Sequence, residues 1–109
     1  MGTVELQQLT NQIVQKLRAY YNPEKIILFG SYADGSGQPD SDLDLLIIKD
    51  TDERFIDRWS TVRRILSDPS RKIALETLVL TPQEISARLA RGDQFLAEIL
   101  RKGRVLYAT

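Results

Sequence analysis

The sequence contains no cysteine and no histidine among its 109 residues. Without cysteine the chain forms no disulfides and no thiolate metal sites. Without histidine it has no imidazole metal ligands, no histidine-based triads and no histidine acid–base chemistry. Any chemistry must therefore use carboxylates, hydroxyls, Lys, Arg, backbone groups or a bound ion.

An excess of charge of one sign and a long apolar run are also missing. Acidic and basic residues number 15 each, which argues against nucleic acid or an anionic membrane as a direct partner. No apolar run approaches the roughly 20 residues of a membrane span, and the N-terminal residues lack a secretory signal pattern. With 42% apolar and 28% charged residues, we expect one globular domain over residues 1–109 and a cytoplasmic location.

Hydrophobic spacing predicts alternating helices and strands. The fold class expected is α+β, a small mixed β-sheet flanked by helices. The predicted helices are 3–20, 50–66 and 81–103, the last divided at Gly92, and the predicted strands are 25–30, 43–48, 72–80 and 104–108. Acidic residues are expected in the first turn of helix 50–66, and Phe55, Trp59 and Phe95 are expected in the core because they recur at helical spacing.

The segment ILFGSYADGSGQPDSDLDLLII, residues 27–48, places two carboxylates at the start of an apolar strand. Side chains alternate along a strand, so Asp42 and Asp44 project from the same face and repel each other. A divalent cation, Mg²⁺ or Mn²⁺, between them would remove that repulsion. Gly30 and Ser31 would let backbone N–H groups approach a phosphate. A turn with a cap is the alternative from the residues alone, and we prefer it for Asp34 and Asp40.

The stretch GSYADGSGQPDSDLDLLI resembles the signature of the polymerase-β-like nucleotidyltransferases, and in particular of the minimal nucleotidyltransferase (MNT) group. That signature is Gly-Ser, about ten residues, and then Asp-x-Asp opening an apolar strand. It falls here on Gly30, Ser31, Asp42 and Asp44, with Ser41 in its usual place. The stretch ETLVLTPQE resembles the family's third acidic strand and puts Glu76 at the third carboxylate. The C-terminal ILRKGRVLY also resembles the end of such domains, so the resemblance extends from Lys25 onward.

The resemblance implies the nucleotidyltransferase (polymerase-β-like) fold and a magnesium-dependent transfer of AMP from ATP. In this reading Gly30, Ser31 and Ser41 bind the nucleotide. Asp42, Asp44 and Glu76 are both the catalytic residues and the ligands of two Mg²⁺ ions, or of Mn²⁺. The resemblance further implies an antitoxin of the MntA type whose partner is a toxin of the HEPN ribonuclease family and whose acceptor is a hydroxyl of that partner. Homo- or hetero-oligomers both agree with this reading.

Two other functions stay open at this stage. The chain could be a binding module that neutralises a toxin by contact, since Asp34 stands where the family often has arginine and Glu76 where it usually has aspartate. It could also be a nucleotidyltransferase that acts on RNA or a small molecule. Basic residues gather at Arg63, Arg64, Arg71 and Lys72 and again near the C-terminus, and the sequence favours a solvated surface for them.

Overall fold

The computed structural model describes residues 2–36 and 41–109. It contains five helices and four strands within those residues. In chain order they are α1 Thr3–Tyr20, β1 Lys25–Phe29, α2 Ser31–Asp34, β2 Leu43–Ile48, α3 Phe55–Ile65, β3 Leu75–Leu80, α4 Pro82–Ala90, α5 Gln94–Lys102 and β4 Arg104–Ala108. The α+β class expected from the sequence is confirmed.

The four strands form one mixed sheet in the order β3-β2-β1-β4. Strand β1 pairs antiparallel with both β2 and β4, whereas β2 and β3 are parallel. The two most apolar strands therefore occupy the centre, which the apolar run Leu43–Ile48 predicts, since a central strand is buried on both faces. Strands β3 and β4 are the edges of the sheet.

Each face of the sheet has its own apolar layer. The odd-numbered residues of β2, Leu43, Leu45 and Ile47, are fully buried with side chains of α1 and α3. The even-numbered Leu46 and Ile48 pack with Leu96 and Ile99 of α5 on the opposite face. Because Asp42 and Asp44 share the even-numbered face, they lie at the end of the layer that α5 covers.

The C-terminal helical segment divides as the sequence predicts. Thr81 caps α4, because its hydroxyl accepts the Glu84 N–H at 3.1 Å while the Glu84 carboxylate accepts the Thr81 N–H at 2.8 Å. Gly92 lies between α4 and α5 with φ +81°, a backbone conformation that glycine adopts without strain. The chain then continues from α5 through Gly103 into the edge strand β4.

The prediction that α3 begins near residue 50 is wrong, and the acidic residues expected in its first turn precede the helix. The observed first turn contains a different acidic residue, Asp57. The helix begins at Phe55, and Glu53 is held by tertiary hydrogen bonds instead. Its carboxylate accepts the Tyr21 hydroxyl at 3.0 Å and the Thr61 hydroxyl at 2.7 Å. These contacts between distant parts of the chain hold Glu53 outside the helix, although local preference favours an acidic residue in a first turn.

The prediction that three aromatic residues belong to the core is also wrong. Phe55, Trp59 and Phe95 are 49%, 41% and 60% exposed. Helical spacing shows only that such side chains share one face, and the inward face of α3 is occupied by Arg58 and Val62. Phe95 instead contacts Phe29 edge-on, with ring centroids 6.0 Å apart.

Candidate active site

Strand register brings two of the predicted site carboxylates side by side. Asp44 pairs with Glu76 across the parallel β2–β3 ladder and with Phe29 across the antiparallel β1–β2 ladder. The residue after Phe29 is Gly30. Three neighbouring strands therefore bring Asp44, Glu76 and the glycine corner to the same end of the sheet.

Gly30 lies directly against Asp44. Its backbone has φ +76° and ψ −156°, a region that is essentially restricted to glycine. A Cβ atom at this position would overlap the Asp44 carboxylate oxygen Oδ2. Glycine is required here both by the backbone angles and by the approach of the carboxylate.

The other predicted nucleotide-binding residues flank this corner in the chain. Ser31 is the first residue of α2, whose turn is closed by the Ala33 N–H donating to the Gly30 carbonyl at 3.1 Å. Ser41 and Asp42 directly precede β2 and are half-buried. Asp40 lies outside the described residues.

Three negative charges act on one another at this end of the sheet. Burial raises the pKa of the Asp44 carboxyl, and the charges of Asp42 and Glu76 raise it further. The predicted trio thus forms one electrostatic cluster. A partly buried carboxylate with two like-charged neighbours is typical of a site that binds a cation or exchanges a proton.

The donor chemistry of the cluster fits magnesium, although the side chains do not form a finished cage. Across residues 2–36 and 41–109, no group of three Asp or Glu side chains is arranged to hold a metal ion by itself. Glu76 is exposed, while Asp42 and Asp44 are half-buried. Mg²⁺ commonly binds one or two protein carboxylates and completes its coordination shell with substrate phosphates and water. The two aspartates would therefore supply enough protein ligands.

Asp34 has the turn role expected for it. Its carboxylate accepts the Ser36 N–H at 2.9 Å and also the Ser36 hydroxyl. These hydrogen bonds hold the pKa of Asp34 below its ordinary value. The residue therefore closes the turn after α2.

A small cavity adjoins the glycine corner on the α5 side. It has a volume of about 190 Å³ and is lined by Phe29, Gly30, Ala33, Asp34, Phe95, Glu98, Ile99, Lys102 and Gly103. The sequence did not indicate this cavity, because helical spacing assigned Phe95 to the core.

A second cleft opens on the opposite side of Asp44, at the edge strand β3. Its volume is about 620 Å³, and Glu76 lies in its wall together with Thr77 and three arginines, Arg63, Arg64 and Arg71. The sequence favoured a solvated surface for these arginines. The packing of α3 beside β3 places Arg63 and Arg64 in the same cleft as Glu76, and Arg71 joins them from the segment between the two elements.

None of the described helices is long and apolar enough to cross a membrane.

Comparison with known proteins identifies relatives over almost the whole chain. The family model "Polymerase beta, Nucleotidyltransferase" matches residues 11–109. MJ1305 of Methanocaldococcus jannaschii, named as a candidate protein adenylyltransferase, is 32% identical over 107 residues, covering 94% of this chain and 71% of the relative. MJ0604 of the same organism, named in the same way, is 30% identical over 102 residues and covers 94% of each chain.

Solved structures share the fold. A candidate nucleotidyltransferase from Sulfolobus solfataricus has a TM-score of 0.67 at 18% identity, covering 96% of this chain and 82% of that one. A toxin–antitoxin structure with AMP-PNP has a TM-score of 0.64 at 22% identity, covering 92% and 73%. The toxin–antitoxin MntA-HepT has a TM-score of 0.58 at 20% identity, covering 94% and 73%.

Proposed function

Since the chain belongs to the polymerase-β family of nucleotidyltransferases, and within it to the minimal nucleotidyltransferases, we propose that it transfers AMP from ATP to a hydroxyl group of a partner protein. The observation that carries this proposal is the meeting of Gly30, Asp44 and Glu76 at one end of three neighbouring strands. The names of the two archaeal relatives support a protein as the acceptor.

In the proposed site the nucleotide lies at the glycine corner. Gly30, Ser31 and Ser41 hold the phosphates, and the missing side chain at Gly30 leaves room for the Asp44 carboxylate beside them. Asp42 and Asp44 would hold Mg²⁺, and the ion when bound supplies positive charge that neutralises the phosphates. Glu76 is the third carboxylate, where a second ion would bind.

The reaction is an in-line displacement at the α-phosphorus. The acceptor hydroxyl oxygen forms a bond to the α-phosphorus as the bond from that phosphorus to the bridging oxygen breaks, and pyrophosphate leaves. Glu76 takes the proton of the hydroxyl. Its exposure suits this role, because an acceptor from another protein must reach it from solvent.

The proposed partner is a toxin of the HEPN ribonuclease family, for which the chain acts as antitoxin. Structural similarity to toxin–antitoxin complexes, one of them with AMP-PNP, supports this partner and ATP as the donor. The exposed apolar side chains of α3, Phe55, Ile56 and Trp59, offer surface for a protein contact.

A second function is neutralisation of the toxin by contact alone. The exposed apolar surface of α3, which includes Phe55 and Trp59, favours this alternative, because it offers a contact for a partner that needs no chemistry. It requires the same partner but no chemistry at Asp44.

Intact-mass measurement of the partner tests both functions. The chain is co-expressed with a HEPN ribonuclease, purified, and incubated with ATP and Mg²⁺. A gain of one or more AMP units on the partner, lost in the Asp42→Asn/Asp44→Asn variant and retained in Asp52→Asn, is the expected result. Asp52 is an exposed aspartate outside the site and serves as the matched control. An inhibited ribonuclease of unchanged mass would refute the transfer and favour binding alone.

A further inference from the structure

We propose that the cleft at the edge strand β3 binds the acceptor as an extended acidic segment of the partner protein, which pairs with β3 and places its hydroxyl beside Glu76. This inference rests on the proposed nucleotidyl transfer and specifies which partner segment is recognised. Three features of the molecule support it: the side of Asp44 that is open to an acceptor, the charge of the cleft, and the free backbone edge of β3.

The sheet order decides from which side the acceptor approaches. Asp44 is flanked by β1 with its glycine corner on one side and by β3 with Glu76 on the other. If the triphosphate occupies the glycine corner, the attacking hydroxyl comes from the β3 side, because attacking and leaving oxygens lie in line across the phosphorus. On that side lies the edge strand β3, which borders the cleft of about 620 Å³. Glu76 shares the face of Asp44, whereas Leu75 and Thr77 share the face covered by α3, so successive side chains of an added strand would reach Glu76 on one face and the arginines on the other.

The charge of the cleft favours an acidic occupant. Arg63 and Arg64 are exposed, and neither has an ion-pair partner within 4.0 Å among the described residues. The wall also contains the carboxylates of Asp68 and Glu76, so the three arginines of the cleft outnumber its acidic side chains by one. The Arg63 guanidinium lies over the Trp59 ring, 4.8 Å from its centroid, which orients it.

The free edge of β3 offers backbone groups to an extended chain. The carbonyls of Ala74 and Leu80 accept the N–H groups of Leu43 and Lys49, so the even-numbered residues of β3 face β2. The odd-numbered residues therefore direct their backbone groups away from β2. Of these, the Val79 carbonyl already accepts from Arg58 at 3.3 Å. Leu75 and Thr77 line the cleft, and their side of the strand is where an added strand would pair.

An edge strand favours a protein segment over RNA. RNA phosphates could pair with the arginines but would leave the backbone of Leu75 and Thr77 unsatisfied. The balanced charge of the whole chain, 15 acidic and 15 basic residues, also lacks the excess of cations that RNA-binding surfaces have.

Peptide binding without ATP and Mg²⁺ tests the inference separately from the transfer reaction. The probes are a fluorescent Glu-Glu-Tyr-Glu-Glu peptide, its Gln-for-Glu analogue, its Lys-for-Glu analogue and a single-stranded oligoadenylate RNA. The acidic peptide should bind best. The Arg63→Gln/Arg64→Gln variant should weaken its binding by about tenfold, since each exposed ion pair contributes a few-fold. Arg91→Gln removes an exposed arginine outside the cleft and should leave binding unchanged.

Charge exchange gives a gain of function that a folding defect cannot imitate. The Arg63→Glu/Arg64→Glu variant should lose the acidic peptide and bind the Lys-flanked one instead. Two further acidic peptides carry N-methyl groups on alternate backbone amides, one on the odd-numbered and one on the even-numbered amides. Only one of the two should lose binding, because an added strand hydrogen-bonds to its neighbour through every second residue.

Three outcomes would overturn the inference. If the Arg63→Gln/Arg64→Gln variant binds the acidic peptide unchanged, the cleft is not the peptide-binding site. If the RNA binds better than the acidic peptide, the occupant is a nucleic acid and not a protein segment. If the peptides methylated in the two registers bind equally well, the peptide does not pair with β3. Failure of the proposed function looks different: the acidic peptide would bind through the arginines but gain no AMP when ATP and Mg²⁺ are added.

Discussion

Replacing Gly30 by alanine tests the geometry on which the proposed chemistry depends. The backbone there has φ +76° and ψ −156°, and a non-glycine residue in this region costs about 1–3 kcal/mol. The added methyl group would also overlap the Asp44 carboxylate, which must move aside. Together we expect the free energy of unfolding to fall by about 2–4 kcal/mol, which leaves part of the roughly 5–15 kcal/mol typical of a domain.

Gly92→Ala is the matched control. Gly92 also has a positive φ, +81°, but an added Cβ atom would meet nothing within 4 Å. We expect this substitution to cost about 1 kcal/mol, the price of a left-handed backbone alone. Urea unfolding followed by circular dichroism measures both variants, and the difference between them reports the contact with Asp44.

Activity should separate the two variants further. Displacing the Asp44 carboxylate by about 1 Å can reduce a rate by about 100-fold. AMP transfer to the partner, measured by intact mass over time with folded protein, should therefore fall about 100-fold in Gly30→Ala and little in Gly92→Ala. If Gly30→Ala loses no more activity than Gly92→Ala, the glycine corner does not position the carboxylate for catalysis and the proposed site is wrong.

Three further predictions use stability. Asp44→Asn should raise the free energy of unfolding by about 0.5 kcal/mol, because it removes a like charge opposite Glu76, and it should abolish AMP transfer. A loss of stability in thermal unfolding would contradict the repulsion between these carboxylates. Thr77→Val should raise the free energy of unfolding by about 1 kcal/mol, because it removes a buried hydroxyl without a partner among the described residues, and Ser86→Ala on exposed α4 should change it little. Burial would raise the pKa of Glu84, but hydrogen bonds from Arg58 and the Thr81 backbone outweigh it and lower that pKa. The stability that the Glu84 carboxylate contributes is therefore present above its unfolded pKa of about 4.3 and is lost as the pH falls through the lower folded pKa. The difference in free energy of unfolding between wild type and Glu84→Gln should shrink in acid, and a difference that stays constant with pH would refute the link between the charge of Glu84 and stability.

Sequence periodicity predicted most elements because the strands are short apolar runs and the helices have clear ends. The run Leu43–Ile48 favours a central strand because it is apolar on both faces, and Thr81 with Glu84 marks a helix start by local hydrogen bonds. The start of α3 was predicted wrongly because Glu53 bonds to Tyr21, a residue distant in the chain. Local preferences carry no information about such partners.

The aspartates and the glycine corner could be proposed as site residues from sequence, because they lie close together in the chain and their spacing within one loop and strand is the family's motif. Asp42 and Asp44 share a face by strand alternation, whatever the rest of the chain does. The position of Glu76 beside them needed either the family resemblance or the strand order, since a parallel pairing between β2 and β3 joins residues far apart in the chain. Their roles in catalysis and metal binding stay predictions that the experiments above address.

By itself the sequence determined which chemistry was available, namely carboxylates and hydroxyls without thiols or imidazoles, and it determined the elements whose signals are local. Only the tertiary structure decided that Arg63 and Arg64 lie in a cleft with Glu76, that Thr77 is buried beside them, and that Trp59 and Phe95 face solvent. The physical reason is that a residue's periodicity depends on its neighbours in the chain, whereas burial and charge pairing depend on which distant elements pack against it.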